Sequence, residues 1–384
     1  MTRAPRIAPI LAALAAVLLA PGPARGAPEP IKIGALLAVT GPASFLGAPE
    51  ARTLEMLVQE RNAKGGIGGR PIQLVLKDTG GSPEKAVSFA RQLIEEEKVL
   101  AILGPSTSGE SLQVKAIAEE GKTPLLSMAA AEGIVNPVLP HVFKVAPRDS
   151  YAVEVIFQRM KKMGITRIGF LSSNTGFGKG GKEQVEKLAP QFGITLAVNE
   201  VYDKAATDLT AEVTKLKAAN VQAILNWSIE PAQSIVVKNA RQIGLTVPIF
   251  QSHGFANLQY VKAAGPAAEG VIFPASRIVV ASDLPASNPQ KPVVEAYRKA
   301  YESRYGEDVS TFGGHAWDAF GILVKAIEQV GPDRAKVRSA VEGMKGYVGT
   351  AGIFNFSPQD HNGLDVGAFE LCTVRNGRFA PLGG

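Results

Sequence analysis

From residue 31 onward, short apolar runs rich in Val, Ile and Leu alternate with longer amphipathic segments. The runs at 31–39, 72–77 and 99–103 predict strands, and the segments around 50–61 and over 83–96 predict the helices between them. The runs lack a polar residue at every second position, which is the pattern of strands buried on both faces in a parallel sheet. Further strands are predicted at 124–127, 142–145, 167–171, 196–202, 222–226, 249–251 and 271–273, followed by helices at 292–305, 316–330 and 334–344 and a last strand at 368–374. So many strands exceed one sheet of ordinary size. The stretch 143–150, FKVAPRDS, reads as a crossing between two halves, with a new helix starting at Asp149 or Ser150. The predicted fold is therefore α/β, two doubly wound lobes whose carboxyl strand ends face each other across a cleft, where such folds bind ligands.

Ahead of this pattern, Arg3 and Arg6 precede an uncharged apolar stretch from Ile7 to Ala20 and small residues around Ala24-Arg25-Gly26. This is the layout of a cleavable secretory signal, with an apolar core shorter than the roughly 20 residues that a spanning helix needs. Residues 1–26 are expected to be removed, and no Cys near the cleavage point offers a site for lipid attachment. The formal charge of +6 then falls to +3 with the loss of three Arg. Lys and Glu are interspersed in the remainder, which argues against a nucleic-acid partner. Cys372 is the only cysteine, so an internal disulfide is excluded, and its apolar neighbours predict a buried strand position.

Residues 176–183, GFGKGGKE, reproduce most of a phosphate-binding loop, but Glu183 stands where a hydroxyl residue would hold magnesium and would repel a triphosphate. A glycine-rich turn with another purpose is expected there, with a helix from Lys182 onward. The loop 104–109 places Ser106, Thr107 and Ser108 at a helix start, which suits a bound carboxylate and equally suits plain N-capping. The same loop nearly forms the Gly-x-Ser-x-Gly elbow of a hydrolase, with Ser108 in place of the closing Gly. None of His141, His253, His315 and His361 sits in a local motif that would make it the base of a triad. Ala129, Ala130 and Ala131 permit close approach to backbone groups, Leu46 is expected on a flexible loop, and Phe177, Trp227 and His253 stand at strand ends of the second half. Strand ends carrying apolar and donor residues describe a small-molecule pocket better than a reaction centre, and HExxH and paired-Cys metal motifs are missing from the sequence.

Five motifs, IKIG at 31–34, TGP at 40–42, NAKGGIGG at 62–69, ILGP at 102–105 and TDLT at 207–210, give the mature chain a resemblance to periplasmic substrate-binding proteins of the branched-chain amino acid type, which serve ABC importers. The resemblance implies a type I periplasmic binding protein fold, with a lobe of residues 27–147 plus 275–352, a second of 148–274 plus 353–384, and a hinge of three crossovers. It implies a monomer that captures a small hydrophobic carboxylate, amino acid or aromatic acid, and passes it to an inner-membrane permease, without cofactor, metal or catalysis. By carry-over, Ser108 with the Ala129–Ala131 backbone holds the carboxylate, Leu46, Phe177 and Trp227 surround the apolar part, and the 176–183 stretch is a ligand loop. This sequence departs from the family at Ala131, where relatives usually have Thr, and at His253, near which they usually have an acid for the ligand ammonium; Glu230 is the candidate replacement. Alternatives are a sensory module for a membrane receptor and an extracytoplasmic hydrolase using Ser106 or Ser108.

Overall fold

A computed structural model describes residues 28–383, together with residues 1, 2 and 4. The expected signal peptide falls almost wholly outside the described residues. The first sheet holds β1 (Ile31–Leu37), β2 (Ile72–Asp78), β3 (Ile102–Leu103), β4 (Leu125–Ser127) and β5 (Val142–Lys144), all parallel, in the order β2-β1-β3-β4-β5. The second is built from β6 (Arg167–Ser173), β7 (Thr195–Tyr202), β8 (Ala223–Trp227), β9 (Ile249–Gln251) and β10 (Ile272–Ala275). Its parallel part runs β7-β6-β8-β9-β10, the same winding as the first sheet. A small hairpin, β11 (Tyr347–Val348) with β12 (Ile353–Phe354), follows, and then β13 (Glu370–Arg375) and β14 (Arg378–Pro381) extend the second sheet antiparallel beyond β10.

Each sheet therefore reverses strand order at one place, between β1 and β3 in the first and between β6 and β8 in the second. At such a switch point the connections leave in opposite directions and open a crevice beyond the carboxyl strand ends. The doubled α/β architecture is as the apolar runs predict. The 347–354 hairpin and β14 are too short or too polar to show a periodic signal.

The first core joins Ile33, Leu37 and Phe143 to Leu54 of the helix Ser44–Ala63 and to Ile322 and Leu323 of the helix Thr311–Val330. Phe354, Phe356, Leu364 and Ala368 also pack there, whereas Phe369 packs in the second core with Phe170, Leu225 and Phe273. Cys372 is a free, buried thiol of β13, as its neighbours suggest, and burial pushes its ionisation up. Two expected boundaries move. Leu46 lies in the first turn of the helix Ser44–Ala63, not on a flexible loop, because the chain turns into helix as soon as Gly41 and Pro42 have reversed it. The helix expected from Lys182 starts at Gly176, with Thr175 accepting from the Gly178 N–H at 3.2 Å as its N-cap. Glycine has low helix propensity, and here packing overrides it.

Candidate functional site

The loops at the two switch points converge. From the first half come the turn after β1 and the loop after β3; from the second come the loops after β6 and β8. The helix Ser108–Glu120 opens with a capping box: Thr107 Oγ1 accepts from the Glu110 N–H at 3.3 Å, and the Glu110 carboxylate accepts from the Thr107 N–H at 3.1 Å and hydroxyl at 2.6 Å. The Thr107 hydroxyl is thereby taken up in capping. The amides of Ser108 and Gly109 are left at the positive end of the helix dipole. The helix Gly176–Leu188 starts against this end, since a Cβ on Gly176 would come within 2.6 Å of Gly109 Cα. Two helix N-termini thus adjoin one another at the cleft, and together their fields favour an anion beside them.

Behind this contact, Leu46, Ser106, Ser108, Ala129, Ala130, Phe177 and His253 line one inner chamber of about 20 Å³. Seven of the ten residues singled out in the sequence are brought together there. Ala131 lies beside them, its N–H donating to Ser108 Oγ at 3.2 Å. Trp227 is wholly buried against Phe177 and His253, with ring centroids 5.8 and 5.7 Å away. Thr107 lines a separate outer groove of about 350 Å³ instead. Phe177 and Ile229 border both spaces and form the wall between them. Glu230 faces the outer groove and is held by Ser228 Oγ at 2.7 Å, so it does not stand beside His253 as the sequence suggested.

Neither candidate serine is placed for nucleophilic chemistry. Ser106 Oγ accepts from the Ala38 N–H at 3.0 Å and donates to the buried Glu50, whose carboxyl burial pushes well up. The nitrogens of His253 and His315 have no hydrogen-bond partner, His141 pairs with Glu119, and His361 pairs with the Val142 carbonyl and Glu342. No imidazole therefore holds a serine proton. Among the described residues, no group of three or more His, Cys, Asp or Glu is placed to hold a metal ion. No described helix is long and apolar enough to cross a membrane.

The sequence reading missed the buried charges beneath the Ala129–Ala131 stretch. Lys144 is wholly buried and donates to the Ala130 carbonyl at 2.5 Å and the Pro147 carbonyl at 3.4 Å, which fixes the backbone beside the chamber. Burial pushes its ammonium down, against the pull of Glu132 and Asp149. Burial pushes the Glu132 carboxyl up, but Lys144, the Ser150 hydroxyl and Arg148, 3.1 Å away, hold it below its ordinary value. Asp149 is raised, first by burial and then by Glu132 and Glu183, with Lys144 opposing. Burial, Lys144 and His315 push His253 down to about 3, and burial with Lys144 does the same to His315, so both rings are neutral at physiological pH. Met128, Ala146, Ile229, Gly254, Phe312 and His315 complete the lining. Phe312 and His315 come from a helix some 200 residues away in sequence from the chamber's serines, and no local pattern marks them.

The sequence profile described as "Periplasmic binding protein" matches residues 30–370. The Leu/Ile/Val-binding protein homolog 7 of Brucella suis is 25% identical over 373 residues, covering 92% of this chain and 91% of its own. An extracellular ligand-binding receptor from Rhodopseudomonas palustris HaA2 superposes with a TM-score of 0.86 at 31% identity, over 92% of this chain and 99% of its own. The branched-chain amino acid transporter substrate binding protein LivJ from Streptococcus pneumoniae, solved in complex with isoleucine, gives a TM-score of 0.81 at 25% identity, over 91% of this chain and 97% of its own. The fold is the type I periplasmic binding protein fold.

Proposed function

The chain belongs to the periplasmic binding protein family, and from that premise we propose that it is a periplasmic receptor that captures a small hydrophobic carboxylate for an inner-membrane ABC permease. The observation that carries this reading is the pair of helix N-termini at Ser108 and Gly176, which adjoin at the cleft beside an apolar chamber. The ligand carboxylate would take the free amides at Ser108 and Gly109 with the Ser108 hydroxyl, next to the Ala129–Ala131 backbone. Its hydrocarbon part, a branched aliphatic or aromatic group, would lie among Leu46, Phe177, Trp227 and Phe312. The relatives are named as binding proteins and not as enzymes, which agrees with the unactivated serines.

In this reading the two lobes separate about a hinge. We take residues 28–147 plus 275–368 as one lobe and 148–274 plus the C-terminal strands from Phe369 as the other. Phe354, Phe356, Leu364 and Ala368 pack in the first core and Phe369 in the second, which supports a third crossing near Phe369 in place of 352/353. The inner chamber has room for little more than a water molecule, so a ligand must enter with the lobes apart. Opening parts the Phe45–Tyr260 ring pair, 5.0 Å between centroids, and the bond from Asn257 Nδ2 to the Phe45 carbonyl, 2.9 Å. Small-angle scattering of the mature monomer with and without saturating L-leucine or benzoate tests this. A smaller radius of gyration on binding is expected, and binding without any change in scattering would contradict hinge capture.

A further inference from the structure

The loop carrying His253 holds no acid, yet the fold brings one to it from elsewhere. Asp149 opens the helix Asp149–Lys162, is wholly buried, and has no hydrogen-bond partner on either carboxyl oxygen. One oxygen lies 3.5 Å from Nε2 of His253, on the chamber wall. The other adjoins Gly180, as Ala131 does, because a Cβ placed on Gly180 would be 3.3 Å from that oxygen and 3.3 Å from the Ala131 methyl. Lys144 does not satisfy the carboxyl, since its ammonium is directed at the Ala130 and Pro147 carbonyls. A buried carboxyl without a donor is unfavourable, so a donor that arrives with a ligand would be held firmly.

Resting on the reading of the cleft as a carboxylate receptor, we propose that Asp149 accepts the ammonium of the bound ligand, which makes that ligand a hydrophobic amino acid and not an amine-free acid. Small residues make this possible. Ala131 brings no side-chain hydroxyl to compete for the carboxyl, and Gly180 places no side chain against it. His253, neutral, offers its ring nitrogen as a second acceptor at the same point. The charged or titratable groups that act on or lie beside Asp149 are Lys144, Glu132, Glu183 and His253, and Lys144 acts on His315 as well. Burial and the two glutamates favour its protonated form, so an incoming ammonium would drive the carboxyl proton out to solvent as the ion pair forms.

The test compares L-leucine with 4-methylpentanoate, which has the same carboxylate and side chain but no amine, by calorimetry near pH 7 in two buffers of different ionisation enthalpy. Wild-type protein should bind leucine more tightly and release protons on binding it, and should release none with 4-methylpentanoate. Asp149→Asn should weaken leucine by roughly thirtyfold or more, abolish the proton release, and leave 4-methylpentanoate nearly unchanged. Equal affinity of the wild type for the two ligands, or equal loss of both in the variant, would overturn the assignment. The wild-type comparison and the proton count stand even if the variant does not fold. If 4-methylpentanoate or benzoate binds while leucine does not, the assignment fails and the receptor reading survives; if no carboxylate binds, both fall.

Discussion

Gly180 and Gly181 are neighbours in one helix, and the structure gives them opposite tolerance for a methyl group. A Cβ on Gly181 would lie 2.1, 2.2 and 2.3 Å from three indole atoms of Trp227, where ordinary contact begins at 3.4 Å. The indole cannot yield easily, because it is wholly buried and packed on Phe177 and His253. A Cβ on Gly180 meets only the Ala131 methyl and the Asp149 carboxyl at 3.3 Å, a misfit of a tenth or so of an ångström. Both Gly→Ala changes gain helix propensity, about 1 kcal/mol each. Overpacking a core costs roughly 1–3 kcal/mol, and an overlap of more than 1 Å with an immobile ring belongs at the upper end. Gly181→Ala should therefore be destabilised by about 2 kcal/mol net, while Gly180→Ala should be neutral or slightly stabilised. Thermal unfolding followed by circular dichroism should separate the two variants by roughly 4–8 °C. Near-ultraviolet dichroism should change in Gly181→Ala, as Trp227 is displaced. Coincident melting of the two variants would refute the close packing of this helix on the indole, and with it the placement of the chamber wall.

Ser108→Ala should weaken a bound carboxylate by roughly tenfold or more, since a hydrogen bond to a charged group is worth about 1.5–3 kcal/mol; titration calorimetry checks it. Ser106→Ala should act on stability instead, lowering it by about 1–3 kcal/mol by stripping the donor from buried Glu50, which denaturant unfolding measures. In the same vein, a fluorophosphonate probe should label neither serine in the wild type, and a labelled serine seen by mass spectrometry would revive the hydrolase reading. His253 and His315 are held at about 3, below the ordinary 6.5, so the unfolded chain takes up protons that the folded one refuses as pH falls below 6.5. Stability from each ring is present above that pH and is lost on acidification toward 3, about 2 kcal/mol per imidazole by pH 5. Burial raises the carboxyls of Asp149 and of Asp318 in the helix Thr311–Val330, which contribute in the opposite sense; comparing wild type with His315→Gln at pH 7.5 and pH 5 cancels them, and the variant should lose that much less.

The doubled architecture was legible because the strands are continuous apolar runs, and the loops at the strand ends then carried local marks: hydroxyls at 106–108, three alanines at 129–131, aromatics at 177 and 227. The near match to a phosphate loop misled for a physical reason. Its glycines serve packing, with Gly176 against Gly109, Gly178 against the Ser173 carbonyl and Gly181 against Trp227. A helix start that must approach a facing helix and an indole needs the same residue as a loop that must wrap phosphate, and sequence alone does not separate the two. The buried polar cluster was not legible. Lys144 and Asp149 read as an ordinary lobe crossing, and only the crossing's path beneath Ala130 places them under the chamber. His315 and Phe312 sit in a helical stretch whose apolar neighbours absorb them into a core pattern.

Thermal-shift titration of the mature protein against aliphatic amino acids, their amine-free acids and aromatic carboxylates addresses the central claim most directly. Binding to the folded state alone stabilises it by about 2.7 kcal/mol at a hundredfold excess over the dissociation constant. The account predicts a saturable rise in melting temperature with a hydrophobic carboxylate, largest for leucine-like amino acids and shifted to roughly tenfold higher ligand in Ser108→Ala. The absence of any shift across the three classes would contradict a carboxylate receptor in this cleft.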